Sequence, residues 1–482
     1  MKYKYKIMTV FVILFFFTMC FTPNIIANTE IVKKEKTVTS FKNGNYDLLI
    51  ITPDKWVKNL KPLSNHKENV GIKNRIIPLS EIYDTIYWNG RDDAEKIKYY
   101  IKNAYEYWGI RYVLLVGGHD GQSYNWNIPV RYVDMGNSYE AKILSDLYFA
   151  DLIDDKGNFS SWDTNYDQKY MDWYDTKNPI DTYVDFTPEI AVGRLPCRNS
   201  VEVKNMVNKI IKYEQTAYNK EWFKKMVAIA GDTYPEYKNS LWKGYEGEHY
   251  ADMAFENMTG FEQIRLYTSL GNFNGPKEII PVINKGCGIL YFVGHGNPMV
   301  WANHYPNDEK ITKGMMLRHM FMLYNFHKTP VTVVSGCHNS QFDITILNII
   351  KEIKNHGLQE GIQRILIRGE GAYECFSWLL TNRALGGSVS TLGCTALGFT
   401  KEDKVSFDGG INELEVLFFK EYGQNKIDIL GDAWKNAITN YNNKYPIDWN
   451  DATKDDWVDA QIIQTWALFG DPSLKIGGYP EN

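Results

Sequence analysis

His295 and Cys337 stand in matching surroundings. Gly288-Ile289-Leu290-Tyr291-Phe292-Val293-Gly294 leads into His295 and Gly296, and Thr329-Pro330-Val331-Thr332-Val333-Val334-Ser335-Gly336 leads into Cys337. A thiol near its reference value of about 8.5 is mostly protonated at neutral pH, so it needs an imidazole nearby to act as a nucleophile. These residue types suit attack of Cys337 on a carbonyl, with His295 handing a proton to the leaving group and water releasing the acyl-enzyme. The backbone N–H groups of Gly296 and Cys337 are candidates to hold the developing oxyanion. Zinc held by Cys337, His338 and other histidines is the rival reading; no Cys-x-x-Cys or His-x-x-x-His spacing supports it.

Both apolar runs have the length of buried strands and end in small residues. Parallel strands present catalytic groups at their carboxyl ends, so both side chains should emerge on one rim. Further α/β units flank them. Asp47–Ile51 reads as a strand, Asp92–Trp108 as a helix with Ile97, Ile101, Ala104 and Trp108 on one face, and Tyr112–Val116 as the next strand. A helix near Val201–Tyr213 and a strand at Met226–Ala230 follow. A lobe boundary near residue 220 then separates residues 45–220 from 221–482, which hold both catalytic strands, Gly387–Leu392, and helices around Glu413–Tyr422 and Trp434–Tyr441.

Residues 136–186 break this rhythm as a polar insertion too long for a plain connection. Within it, Asp163, Asn165 and Asp167 place oxygen ligands at alternating positions, as the start of a calcium loop does. Gln168 stands where such loops have Gly, and Tyr174 where they have Glu. A solvated acidic loop is the alternative.

Arg111–Gly117, Glu189–Pro196, the two catalytic strands and Thr465–Leu474 together resemble the gingipain-type cysteine peptidases of the caspase-like group, in which His-Gly precedes the catalytic Cys. The resemblance runs from about residue 45 to the C-terminus. It implies a caspase-like α/β sandwich with mainly parallel sheets flanked by helices. It also implies an acidic residue that orients the histidine, matching Asp232 with the spacing off by one, and an acid that binds a basic P1 side chain, matching Glu246 three residues before His249. Glu stands there where the family pattern has Asp, and Thr391–Phe399 lacks the family's pocket Trp. Glu246 and Glu248 read equally as helix-start acids favoured by the helix dipole.

Composition agrees with a large soluble enzyme. The 482 residues are 44% apolar with a formal net charge of −5, which gives no basic footprint for nucleic acid. Residues 1–27 read as a signal peptide: Lys2, Lys4 and Lys6 precede an apolar run from Ile7 to Phe21 that is shorter than the roughly 20 residues that span a bilayer. A short segment, 28–44, joins it to the first lobe. The expected product is secreted or held at the cell surface, with no membrane span after cleavage. Five cysteines remain beyond the signal, an odd number that leaves at least one thiol free. The expected activity is an exported cysteine endopeptidase acting on protein or peptide substrates, with a basic P1 preference. Its chemistry requires no cofactor, and structural calcium is the one optional ion. A transpeptidase, or a non-catalytic surface binding protein on the same fold, are the alternatives.

Overall fold

The computed structural model describes residues 41, 44–86, 89–136, 140, 142–235, 245–400 and 408–480. The signal-peptide expectation for 1–27 lies outside them. A ten-stranded sheet organises the chain: β1 (Leu48–Thr52), β2 (Asn74–Pro78), β3 (Tyr112–Val116), β4 (Ala191–Leu195), β5 (Lys225–Ala230), β6 (Glu262–Tyr267), β7 (Ile289–Val293), β8 (Val331–Ser335), β9 (Ser390–Cys394) and β10 (Trp466–Phe469). Their spatial order is β6-β5-β7-β8-β9-β10-β4-β3-β1-β2. Every pairing is parallel except β9 with β10. The sheet is therefore two five-stranded parallel halves of opposite sense, joined where β10 returns from the C-terminal region. One half comes from residues 225–394. The other is β1 to β4, completed by β10.

The strands are apolar on both faces because helices cover both, as parallel sheets require. Residues of β1, β3, β7 and β8 are all buried. Among the helices are α1 (Val57–Asn69), α2 (Asp93–Trp108), α3 (Ser200–Thr216), α4 (Glu246–Asn257), α5 (Pro276–Lys285), α6 (Leu347–His356), α7 (Leu358–Arg368), α8 (Phe376–Asn382), α9 (Ile411–Gly423), α10 (Leu430–Lys444) and α11 (Lys454–Gln464). Their ends follow from local chemistry. The Asp92 side chain accepts from Glu95 N at the start of α2, and Gly109 closes that helix at φ 69°. Asn199 caps α3 through Val201 N and Glu202 N.

The polar segment 142–186 adds large aromatic rings to the common core. Trp162, Trp173, Tyr148 and Phe149 are fully buried there, and the Trp162 indole donates to Asp151 at 2.5 Å. Its backbone is irregular, with Trp162, Tyr166, Gln168 and Met171 all at positive φ. Burial of a few large rings replaces the periodic apolar pattern of regular elements. Among the described residues, no helix is long and apolar enough to cross a membrane.

Candidate active site

Register brings the dyad together. β7 and β8 are paired from Ile289↔Val331 to Val293↔Ser335, and Gly294 N extends the ladder to Ser335 O at 3.0 Å. His295 and Cys337 each lie two residues beyond the last register pair, so both leave the same rim. Beyond it the backbones nearly touch. A Cβ on Gly296 or on Gly336 would lie 2.2 Å from the Asn339 amide oxygen, and the one on Gly336 would lie 3.2 Å from Gly296 N. Only glycine fits two chains and an amide into that space. Asn339 binds the crossing by donating to Asn297 O at 2.7 Å and Val300 O at 3.1 Å.

His295 begins a short strand, His295–Asn297, paired antiparallel with Val300–Ala302. Its Nε2 lies 2.7 Å from Thr233 O. A carbonyl only accepts, so Nε2 carries the proton and the lone pair of the neutral ring sits on Nδ1. The ring packs edge-on to His304 at 5.3 Å and to Tyr234 at 5.9 Å between centroids.

Cys337 is half-buried, whereas Cys197, Cys287, Cys375 and Cys394 are fully buried. Burial pushes the Cys337 thiol up, and a hydrogen bond from Gly398 opposes that shift. Gly398 N donates to the sulfur at 3.4 Å. The next residue, His338, holds a left-handed φ of 60°. Its Nε2 meets Glu140 at 2.9 Å, and Nδ1 lies 3.0 Å from Gln341. The same Glu140 oxygen accepts Leu397 N at 2.9 Å, and the other accepts Gln461 at 3.2 Å. Glu140 thus fastens the residue after Cys337 to the strand exit that carries Gly398. Thr233, Gly398 and Glu140 carried no site signal in the sequence: two act through backbone atoms, and Glu140 meets His338, which entered only as a rival zinc ligand, from nearly two hundred residues away.

Asp232 lies one residue before the carbonyl that orients His295. Its backbone bridges to His304, and its carboxylate accepts Asn307 N at 2.6 Å. The same carboxyl shares a hydrogen bond with Glu246, which together with burial, the larger cause, pushes Glu246 well above its ordinary value. Asp232 and Glu246 are both buried, at 4% and 3% exposed. Glu248 is taken up separately by Ser269 N at 2.9 Å and Thr268 Oγ1 at 3.2 Å. The two acids at the start of α4 therefore have different tasks. Glu246 joins Asp232 beside the histidine loop, and Glu248 ties the helix to the end of β6.

The suggested calcium ligands lie far from the rim in sequence and differ in setting. Asp163 is buried and pairs with Arg91, and its oxygens accept Asp167 N and Gln168 N, each at 3.0 Å. Asn165 and Asp167 are exposed and bonded to one another at 3.0 Å. With a guanidinium on Asp163, this arrangement does not fit a cation cage. Among the described residues no group of three or more His, Cys, Asp or Glu could hold a metal ion.

Comparison with known proteins places this rim in a family. Gingipain R2 of Porphyromonas gingivalis strain W83 is 19% identical over 438 residues, covering 90% of this chain and 46% of that protein. An uncharacterised protein of Archaeoglobus fulgidus is 21% identical over 428 residues, covering 85% of this chain and 91% of its own. The chain spans about half the length of the gingipain R2 relatives it matches and a smaller share of the gingipain R1 ones. The crystal structure of the Arg-specific cysteine proteinase gingipain R superposes with a TM-score of 0.60 at 18% identity, over 90% of this chain and 79% of that one. A complex of the pro- and mature domains of a gingipain from the same organism gives 0.59 at 18%, over 89% and 79%. These likenesses show a shared caspase-like α/β fold. The model of peptidase family C25 matches residues 41–477, which takes in the whole sheet and the glycine-hinged His295 and Cys337, and this chain belongs to that family.

Proposed function

We propose that the protein is an exported cysteine endopeptidase that hydrolyses peptide bonds through Cys337 and His295. The register-matched exit of those two side chains onto one glycine-lined rim carries this reading. In it, Cys337 gives its proton to His295 Nδ1 as sulfur attacks the scissile carbonyl. The oxyanion forms against the N–H groups of Cys337 and Gly296. The imidazolium then protonates the departing amine, and water drawn in by the neutral ring releases the acyl group. Thr233 O stabilises the charged ring and leaves Nδ1 as the nitrogen that takes up the proton.

Asp232 and Glu246 support a basic P1 preference. Burial and a hydrogen bond to Asp232 favour a proton on Glu246 beside the histidine loop, and an incoming guanidinium or ammonium would replace it. Export rests on the basic and apolar N-terminal pattern, which would place the enzyme outside the cytoplasm with protein substrates. Peptidyl electrophiles with Arg, Lys, Leu or Asp at P1 test the reading when the labelled residue is mapped. Labelling at Cys337 with Arg or Lys favoured supports it. Labelling at Cys337 with Leu or Asp favoured removes the P1 assignment and leaves the dyad.

A further inference from the structure

Between Cys337 and the crossover helix α8, the chain makes an excursion that the β8 to β9 crossover does not need. α6 and α7 fold against one another as a hairpin around Gly357. The inward side mixes apolar and charged groups: Ile365 and Glu352 are each 8% exposed, and Glu352 accepts Arg364 Nε at 3.0 Å, with His356 at 3.6 Å. Gly361 lets the helices close, because a Cβ there would meet Ile353 Cα at 2.7 Å. Large apolar side chains nevertheless face outward among the polar ones. Ile350, Leu358, Leu366 and Ile367 are 65–68% exposed, and Ile362 is 42% exposed. Leu358, Ile362 and Leu366 follow the four-residue spacing that aligns side chains along one helix face. A water-facing helix carries the reverse pattern. A contiguous apolar stripe of this kind marks an interaction surface.

Charge indicates the partner. Residues 347–368 contain four Lys or Arg and two Glu, within a chain of net charge −5. Lys351 and Lys354 are exposed beside Ile350. Exposed Ile and Leu flanked by cations suit the boundary between acyl chains and anionic headgroups. The hairpin is also tied to the catalytic rim: Asn297, two residues after His295, donates to Ile367 O at 3.3 Å. We propose that the α6–α7 hairpin docks the protein on an anionic lipid surface and holds the His295/Cys337 rim beside it.

Cosedimentation of the full chain with vesicles tests this. The vesicles are equal parts phosphatidylglycerol and phosphatidylcholine, or phosphatidylcholine alone. The triple variant Leu358→Gln, Ile362→Gln, Leu366→Gln alters exposed positions only, and a melting curve checks that it folds. It keeps the same apolar N-terminus, so any difference reads the hairpin. We expect binding to the anionic vesicles, roughly tenfold or greater weakening in the triple variant, and weakening by Lys351→Glu with Lys354→Glu that added salt reproduces for the wild type. Equal binding by wild type and triple variant, no binding, or equal binding to both vesicle types would overturn the proposal. So would a dimer in analytical ultracentrifugation that the triple variant dissociates, since the stripe would then serve a second copy.

Discussion

A thiol that burial holds protonated cannot be an ion-paired nucleophile at rest, and this sets an observable for Cys337. Its alkylation rate with a small unselective reagent should inflect above the ordinary thiol value when no substrate is bound. Mass mapping of alkylated Cys337 across pH gives the curve, and an inflection between about 4 and 6 would indicate a resting thiolate–imidazolium pair instead. Glu140 touches His338 and Leu397 but not the sulfur, so it is a positioning residue. Glu140→Gln should lower kcat by about tenfold with KM nearly unchanged, and Glu140→Asp should restore little because the shorter side chain loses one anchor. A rise in KM alone would mean that Glu140 lines the substrate path. His295 and Cys337 were legible because each ends an apolar run and is set among glycines. Thr233 and Gly398 were not, because a backbone carbonyl or N–H has no residue signature and its position is set by packing between distant loops.

Beneath the rim, β7 and β8 rest on a polar cluster from α9. Tyr291 donates to Glu415, and Asn412 bonds both Ser335 Oγ and Glu415, each at 3.1 Å. Burial pushes the Glu415 carboxyl from an ordinary 4.5 up to about 8. A raised carboxyl favours folding while protonated, so its contribution is whole below about 4.5 and is lost as pH rises toward 8. The loss is on the order of a few kcal/mol. Glu415→Gln should flatten the fall in melting temperature across that interval, and an unchanged slope would mean that Glu415 does not titrate there. For the loop at Asp163–Asp167, Arg91 already supplies the positive charge. Chelation is therefore expected to leave the melting curve unchanged, and a drop restored by added calcium would return the loop to the ion-binding reading. Strands β1, β3, β5, β7 and β8 were readable as uniform apolar runs. The buried aromatic rings of 142–186 were not, because they follow irregular backbone and no helical or strand period.

At the scale of the molecule, a second set of α/β units beginning after residue 220 suggested two lobes, and the chain does pass there from α3 to β5. The halves nevertheless share one sheet. β10 pairs with β9 on one side, and Phe469 meets Arg194 of β4 on the other. Nothing in Trp466-Ala467-Leu468-Phe469 indicates that a C-terminal strand lies at the middle of the sheet, since its neighbours are about 70 and 270 residues away, which is beyond any local pattern. Continuous pairing across the seam should make thermal unfolding a single transition with calorimetric and van't Hoff enthalpies in agreement. Two separated transitions would show lobes that fold independently.

In the proposed mechanism one rim, built by register between β7 and β8, makes Cys337 and His295 a single catalytic unit. Turnover of a fluorogenic peptide by wild type, Cys337→Ala, His295→Ala and the double variant tests it most directly. Each single variant is expected to lose activity by about 10⁴-fold or more and the double variant scarcely more than either, because the two residues act together. Retained turnover in Cys337→Ala, with the melting curve intact, would contradict it.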